Sequence, residues 1–240
     1  MKLTPKRKDR NDGKVKNMLK KVIIATSLFV FLNGCASIPT PKNYKKFCDA
    51  NPLSILIVPV VNRSVNVDAP DYFLSTLPIP VAERGYYVFP VNLVKRMLED
   101  EGLSDANLVH TAEPSRLCDL FGADAVLYVT IERWDAKYLV LATQVTVEFD
   151  YVMKDGRTND IIWQDHKQMV YTPQNSSSGN PLADLIVMAV SAAITKAAPN
   201  YMPLSRQANG EVFKYPGPGF PAGPYRGSEY RKDIPTAQLK

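Results

Sequence analysis

Strict alternation of apolar and polar residues marks the middle of the chain. Between Tyr138 and Lys154, apolar side chains occupy nearly every second position and polar side chains fill most of the positions between them. A period of two over this length predicts a strand with one buried face. The segment Lys154–Arg157 provides a turn, and Ile161–Tyr171 has the composition of a returning strand. The centre of the chain therefore predicts an antiparallel hairpin.

The flanking segments predict the other elements of one domain. Further strands are expected where β-branched and aromatic residues cluster, at Ser54–Val61, Tyr86–Val91 and Ala123–Trp134. Helices are expected where apolar spacing and end signals agree, at Asn92–Glu101, Pro114–Phe121 and Pro181–Ala198, with a broken helix over Asp71–Arg84. This order of elements predicts an α/β fold with a single mixed β-sheet, helices packed on one face, and an extended Pro/Gly-rich C-terminal tail.

The positive charge of the chain is confined to its first residues. Residues 1–34 hold nine Lys or Arg against two Asp or Glu, whereas the remaining 206 residues carry a net charge of −2. A nucleic-acid partner is therefore not expected. The apolar run Val22–Leu32 follows Lys20 and Lys21 and is too short to cross a bilayer, so residues 1–34 are predicted to be a secretory signal peptide. Met18 offers an alternative start.

The end of this leader resembles the lipobox of bacterial lipoproteins. Leu32-Asn33-Gly34 precedes Cys35 directly after the apolar run. The resemblance implies cleavage after Gly34, a diacylglycerol on the sulfur of Cys35 and an acyl chain, such as palmitate, on its amine. Several acyl chains give durable membrane anchoring. Because Ala36 replaces the Asp that retains such proteins at the inner membrane, the resemblance implies an outer-membrane anchor, with the domain in the periplasm or at the cell surface.

Composition divides the rest of the chain into three parts. Residues 35–51 are predicted to be a lipidated tether, 52–198 the α/β domain and 199–240 a tail with seven Pro and five Gly. Aromatic and basic residues in the tail either stack sugars or nucleic acid or belong to a solvated tail that docks back on the domain, and the second interpretation is favoured. These residues are Tyr215, Tyr225, Arg226, Tyr230, Arg231 and Lys232.

Few residues carry recognisable chemistry. The only histidines are His110 and His166, and the chain lacks the usual sequence motifs of metalloproteases, serine hydrolases and nucleotide-binding loops. We therefore expect no catalytic residues, no metal and no cofactor. Asp68 and Asp71 follow the first strand, where ligand sites of α/β proteins often lie. A periplasmic hydrolase or carbohydrate-binding protein using Asp68, Asp71 or His166 remains the alternative function.

Two further cysteines, Cys48 and Cys118, lie in the mature chain. The predicted compartment is oxidising, so a disulfide between them is one expectation. A buried, unpaired Cys118 is the other.

Several sequence motifs together resemble one bacterial family. The lipobox is followed by SILIVPVVNRS, PVAERGYYVFPV, GADAVLYVTI and the final apolar helix. The chain is similar to outer-membrane lipoproteins of unknown function grouped with a neisserial genome-derived antigen, although Gly223–Arg226 reads GPYR where that family has GPYH. The resemblance implies a fold like the amino-terminal domain of TolB and the periplasmic domain of the curli secretion channel.

The family resemblance also implies a function without catalysis. The expected function is a lipid-anchored cell-envelope module for interaction, assembly or export. Its partner would be another protein, for example a curli-channel-like lipoprotein, or a second copy of the chain. The surfaces expected to bind are a sheet edge or the final helix, which alternatively packs as a core helix.

Overall fold

Six strands form one open mixed sheet in this computed structural model, which describes residues 42–139, 142–171, 201–214 and 219–238. Its strands are β1 (Ser54–Ile57), β2 (Val61–Asn62), β3 (Tyr87–Val88), β4 (Ala125–Leu139), β5 (Ala142–Asp155) and β6 (Ile161–Tyr171). Their order is β3-β1-β4-β5-β6, with β2 also beside β4. Strands β1 to β4 are parallel where they pair, whereas β4, β5 and β6 are antiparallel neighbours. The predicted α/β class and mixed sheet are confirmed.

Seven α-helices connect or flank these strands in the described part of the chain. They are α1 (Lys45–Ala50), α2 (Ala69–Leu74), α3 (Pro78–Glu83), α4 (Val91–Asp100), α5 (Ala106–Thr111), α6 (Pro114–Phe121) and α7 (Met202–Asn209). A π-helical turn, Gly210–Lys214, follows α7, and 3₁₀ turns occupy Pro224–Glu229 and Thr236–Gln238. None of the helices in these described ranges is long and apolar enough to cross a bilayer.

Helices cover both faces of the sheet, so the expectation of one covered face is wrong. Ile55 and Ile57 of β1 face a core shared with α1, α2, α3 and α7. Leu56 and Val58 face a second core shared with α4, α5 and α6. The physical reason is that β1 is apolar at consecutive positions, as strands buried on both sides are.

Proline explains two differences between the predicted and observed elements. The predicted strand Ser54–Val61 is divided into β1 and β2, and Pro59, which has no N–H for a sheet ladder, lies between them. The predicted broken helix consists of α2 and α3, and α3 begins at Pro78.

Helix α5 was not predicted from the sequence. Asp105 caps its start by accepting a hydrogen bond from Asn107 N–H at 2.8 Å.

The domain extends beyond its predicted boundaries at both ends. Residues 42–51, assigned above to the tether, belong to the same compact unit as the sheet, and Phe47 of α1 is buried in the first core. Tail residues Phe213, Phe220 and Ile234 are buried in that core as well. Each of these segments is short and gains its stability from apolar burial, which a polar or Pro-rich composition does not reveal.

Candidate functional site

Strand β6 is the outer strand of the antiparallel half of the sheet. It pairs with β5 on one side, and no strand of the described residues pairs with its other side. Ile161 and Val170, near its two ends, are 46% and 51% exposed. The outer side of a strand at a sheet edge carries backbone N–H and C=O groups with which another strand is able to pair.

The exposed face of this hairpin carries a polar cluster around His166. The Nδ1 atom of His166 lies 2.6 Å from Asp150 Oδ1, and its Nε2 atom lies 3.5 Å from Glu148 Oε1. Arg133 Nε is 3.5 Å from the other carboxylate oxygen of Glu148. The imidazole therefore bridges two carboxylates on β5. All three groups are partly exposed to solvent, as expected for cross-strand pairs on an open sheet face.

The opposite face of β6 carries two charges that are paired with other parts of the domain. Asp165 forms an ion pair with Lys42 at 2.9 Å, and Lys167 forms one with Glu211 beside α7. The carboxylate of Asp165 also accepts a hydrogen bond from the backbone N–H of His166 at 2.9 Å. This N–H therefore points away from β5 and belongs to the outer edge of the sheet.

The candidate residues of the hydrolase alternative do not converge. Asp71 lies in α2, where Lys95 Nζ contacts its carboxylate at 2.7 Å, and Asp68 is the exposed residue that precedes this helix. Helix α2 packs beside β2 and β4. His166 lies on β6, and strands β4 and β5 separate it from β2 in the sheet. The structure therefore brings His166 together with Asp150 and not with Asp68 or Asp71.

His110 has a structural role in the domain. Its Nε2 atom lies 3.0 Å from the carbonyl oxygen of Pro59, and its ring packs edge-on against Tyr128. Burial lowers the pKa of His110 below its usual value of 6.5, so the imidazole is neutral at pH 7. The side chain thus ties α5 to the segment between β1 and β2.

Both described cysteines are free thiols, so the expected disulfide is absent. Cys48 packs at the border of the first core, whereas Cys118 is buried in the second, on the other face of the sheet. Burial raises the pKa of Cys118 to about 12, so its thiol is neutral and unreactive at neutral pH.

A clamp between α3 and the tail was not predicted from the sequence. The guanidinium of Arg84 donates to the carbonyl oxygen of Phe220 and forms an ion pair with Asp233. Tyr86 adds a hydrogen bond from its hydroxyl to the carbonyl oxygen of Pro221 at 2.9 Å. No local signal identifies this clamp, because Arg84 and Asp233 are 149 positions apart.

A cleft of about 250 Å³ lies between α1 and the β5–β6 turn. Its charged side chains already have partners: Lys46 binds Asp160 at 3.0 Å, and Arg157 donates to the carbonyl oxygen of Ala50 at 2.6 Å. Across the described ranges, no group of three or more His, Cys, Asp or Glu side chains is placed to hold a metal ion. The cleft therefore gives no support to the hydrolase alternative.

Some of the predicted features fall outside the described residues. These are Cys35 with its lipobox, the predicted helix Pro181–Ala198 and Tyr215. The other aromatic tail residues are described, and Tyr225 is 68% exposed. The aromatic side chains that enter the first core from the tail are Tyr201, Phe213 and Phe220, whereas Tyr225 and Tyr230, which the sequence suggested, do not belong to that core.

Comparison with known proteins gives a consistent family. The family model described as "Putative lipoprotein GNA1162-like" matches residues 42–218. The "Putative lipoprotein NMB1124/NMB1162" of Neisseria meningitidis serogroup B is 31% identical over 181 residues, which cover 75% of this chain and 82% of that protein.

One solved structure agrees with this assignment. The crystal structure of lipoprotein GNA1162 from Neisseria meningitidis is 34% identical, with a TM-score of 0.51; the match covers 60% of this chain and 98% of that one. A PelC dodecamer from Paraburkholderia phytofirmans is a weaker match, with 13% identity, a TM-score of 0.37, and coverage of 54% of this chain and 80% of that one.

Proposed function

The chain belongs to the GNA1162-like lipoprotein family, and from this premise we propose that it is a lipid-anchored protein of the bacterial outer membrane that binds other proteins and does not catalyse a reaction. The anchor is Cys35, which carries the acyl chains once the signal peptide has been cleaved after Gly34. The folded unit begins at residue 42, seven positions after Cys35 in the sequence.

The observation that carries this proposal is the position of β6 at the edge of the sheet, where no strand of the described residues pairs with its outer side. An outer strand without a neighbour is a site at which another chain adds a strand, with main-chain hydrogen bonds supplying affinity and side chains supplying specificity. The catalytic alternative has weaker support, because Asp68 and Asp71 lie apart from His166, and each carboxylate that contacts His166 sits on an open sheet face. Such a face does not exclude water from a reaction.

Replacing Cys35 with Ser is expected to abolish labelling of the protein by radioactive palmitate in growing cells. The reason is that a hydroxyl does not replace the thiolate that accepts the diacylglycerol. The matched control is Cys48→Ser, which removes a thiol from the folded unit and should leave labelling unchanged. Labelling that persists in the Cys35→Ser protein would refute the anchor.

A photo-crosslinking residue at Val170 is expected to capture another polypeptide in intact cells. Val170 is 51% exposed on β6, whereas Leu93, which is 56% exposed on α4, provides a matched control away from the sheet edge. Crosslinked species are identified by mass spectrometry. Species formed at Val170 and absent at Leu93 support association through β6. Equal capture at both positions, or none at Val170, contradicts this function.

A further inference from the structure

The sequence of β6 is complementary to itself when it is read in opposite directions. Its central segment is Trp-Gln-Asp-His-Lys-Gln-Met, residues 163–169, with His166 in the middle. If two copies pair as antiparallel strands centred on His166, residues at equal distances from the centre face each other. Asp165 then lies opposite the partner's Lys167, and Gln164 opposite the partner's Gln168.

The sequence of β6 and its position in the sheet point to a specific occupant of its outer edge: we propose that a second copy of this chain pairs with β6 in antiparallel orientation, with the two-fold axis at His166. This deepens the proposed function and rests on it, since it names the partner of the same edge. A two-fold interface uses the same patch of both copies, so the patch must be complementary to itself. The central segment of β6 meets this requirement.

The charges on the inner face of β6 extend into a network in such a pair. Within one copy, Lys42 pairs with Asp165 and Lys167 pairs with Glu211. The side chains of Asp165 and Lys167 are still 24% and 28% exposed, so each is able to meet a second charge. Pairing places four groups of alternating sign in a row, from Lys42 and Asp165 to the partner's Lys167 and the partner's Glu211. Opposite charges facing each other across strands stabilise a sheet.

The outer face of β6 is complementary in the same register. Gln164 and the partner's Gln168 are amides that both donate and accept hydrogen bonds. At the centre, each His166 ring contacts Asp150 and Glu148 of its own copy.

The same charges protect the outer edge of β6 from other strands. Asp165 occupies the outward N–H of His166 with its own carboxylate, and an inward charge of this kind discourages unspecific strand addition. A second copy replaces this contact with a backbone hydrogen bond and supplies the Lys167 that Asp165 then faces. A strand without a cation at that position leaves Asp165 uncompensated. This difference favours a second copy over an unrelated strand.

Cysteines introduced on β6 of the full-length chain test both the partner and the register. In a Cys48→Ser background, His166→Cys is expected to give a disulfide-linked dimer on non-reducing gels of cells with an oxidising periplasm. Facing residues in such a pair lie about 5.5 Å apart at Cα, within the span of a disulfide. Gln164→Cys is the matched control, because it lies about 13 Å from its own copy in this register.

A dimer band that is about tenfold stronger for His166→Cys than for Gln164→Cys supports the proposal. Equal bands, or no dimer with His166→Cys, overturn it. If His166→Cys gives no dimer while Val170 still captures a different protein, the second copy is refuted and association through β6 remains.

Proline at the same position provides an independent test on the purified protein. The N–H of His166 points away from β5, so His166→Pro removes a donor of the outer edge and no hydrogen bond of the β5–β6 ladder. His166→Ala keeps this N–H. By sedimentation, His166→Ala should remain dimeric and His166→Pro should be a folded monomer, as judged by unchanged circular dichroism. A dimeric His166→Pro protein contradicts pairing through this edge.

Discussion

Replacing Arg84 with methionine is expected to destabilise the domain by about 3–5 kcal/mol, the usual cost of removing one partner from a buried ion pair. Arg84 is 6% exposed, and its guanidinium serves both the carbonyl oxygen of Phe220 and the carboxylate of Asp233. Methionine fills much of the volume but removes the side-chain donor of the Phe220 carbonyl and leaves the Asp233 carboxylate with only the backbone N–H of Ala222 at 3.2 Å. Urea unfolding followed by circular dichroism measures the change, which corresponds to a lower melting temperature by about 10 °C.

Arg96→Met is the matched control for this prediction. Arg96 also pairs with a carboxylate, Asp100, but both side chains are about 70% exposed, and such a pair contributes less than about 1 kcal/mol. A second variant separates charge from packing: Asp233→Leu added to Arg84→Met should recover part of the lost stability, because no carboxylate is then left unpaired. If Arg84→Met and Arg96→Met cost the same, the clamp does not hold the tail.

Replacing Gly85 with alanine is expected to cost about 2–4 kcal/mol, since it combines backbone strain with overpacking. Gly85 has φ +89°, a left-handed conformation that side chains rarely adopt, and an added Cβ would lie 2.5 Å from Arg226 Cγ and 2.7 Å from Arg226 N. The side chain of Arg226 is able to move, but its backbone nitrogen moves only if the tail does. We expect proteolysis within the tail to accelerate together with the loss of stability.

Gly102→Ala is the control that isolates the contribution of crowding. Gly102 has φ +81°, and nothing lies within 4 Å of an added Cβ there, so only the cost of the left-handed conformation, about 1 kcal/mol, applies. Chemical denaturation of both variants gives the difference between them. Equal losses would mean that the tail does not press against Gly85 in solution.

Local signals predicted those elements whose stability is decided within a few residues. Helix α6 begins at Pro114 and ends before Gly122, as expected from the preferences of these residues for helix ends. The alternation from Val145 to Met153 likewise identified which face of β5 is buried, because side chains of a strand point to opposite faces in turn. The family was also recognisable from its motifs.

The sequence shows some features of the candidate site on β6, and the other features depend on the three-dimensional structure. The charges of Asp165 and Lys167 are visible in the sequence, and so is the symmetry of the segment around His166. These features bear on strand pairing only because β6 is the outer strand, and the order of strands in the sheet determines that position. His166 and Asp150 are also adjacent only because the turn sets the register of β5 against β6.

The sequence by itself determined the class of fold, the hairpin and the lipoprotein family, and it predicts the anchor at Cys35. Only the tertiary structure decided that helices cover both faces of the sheet, that residues of the Pro/Gly-rich tail are buried in the first core, and that Arg84 forms an ion pair with Asp233. The reason is the range of the forces involved. Strand alternation and helix ends depend on neighbouring residues, whereas burial and ion pairing depend on which distant segments meet, and composition does not specify such meetings.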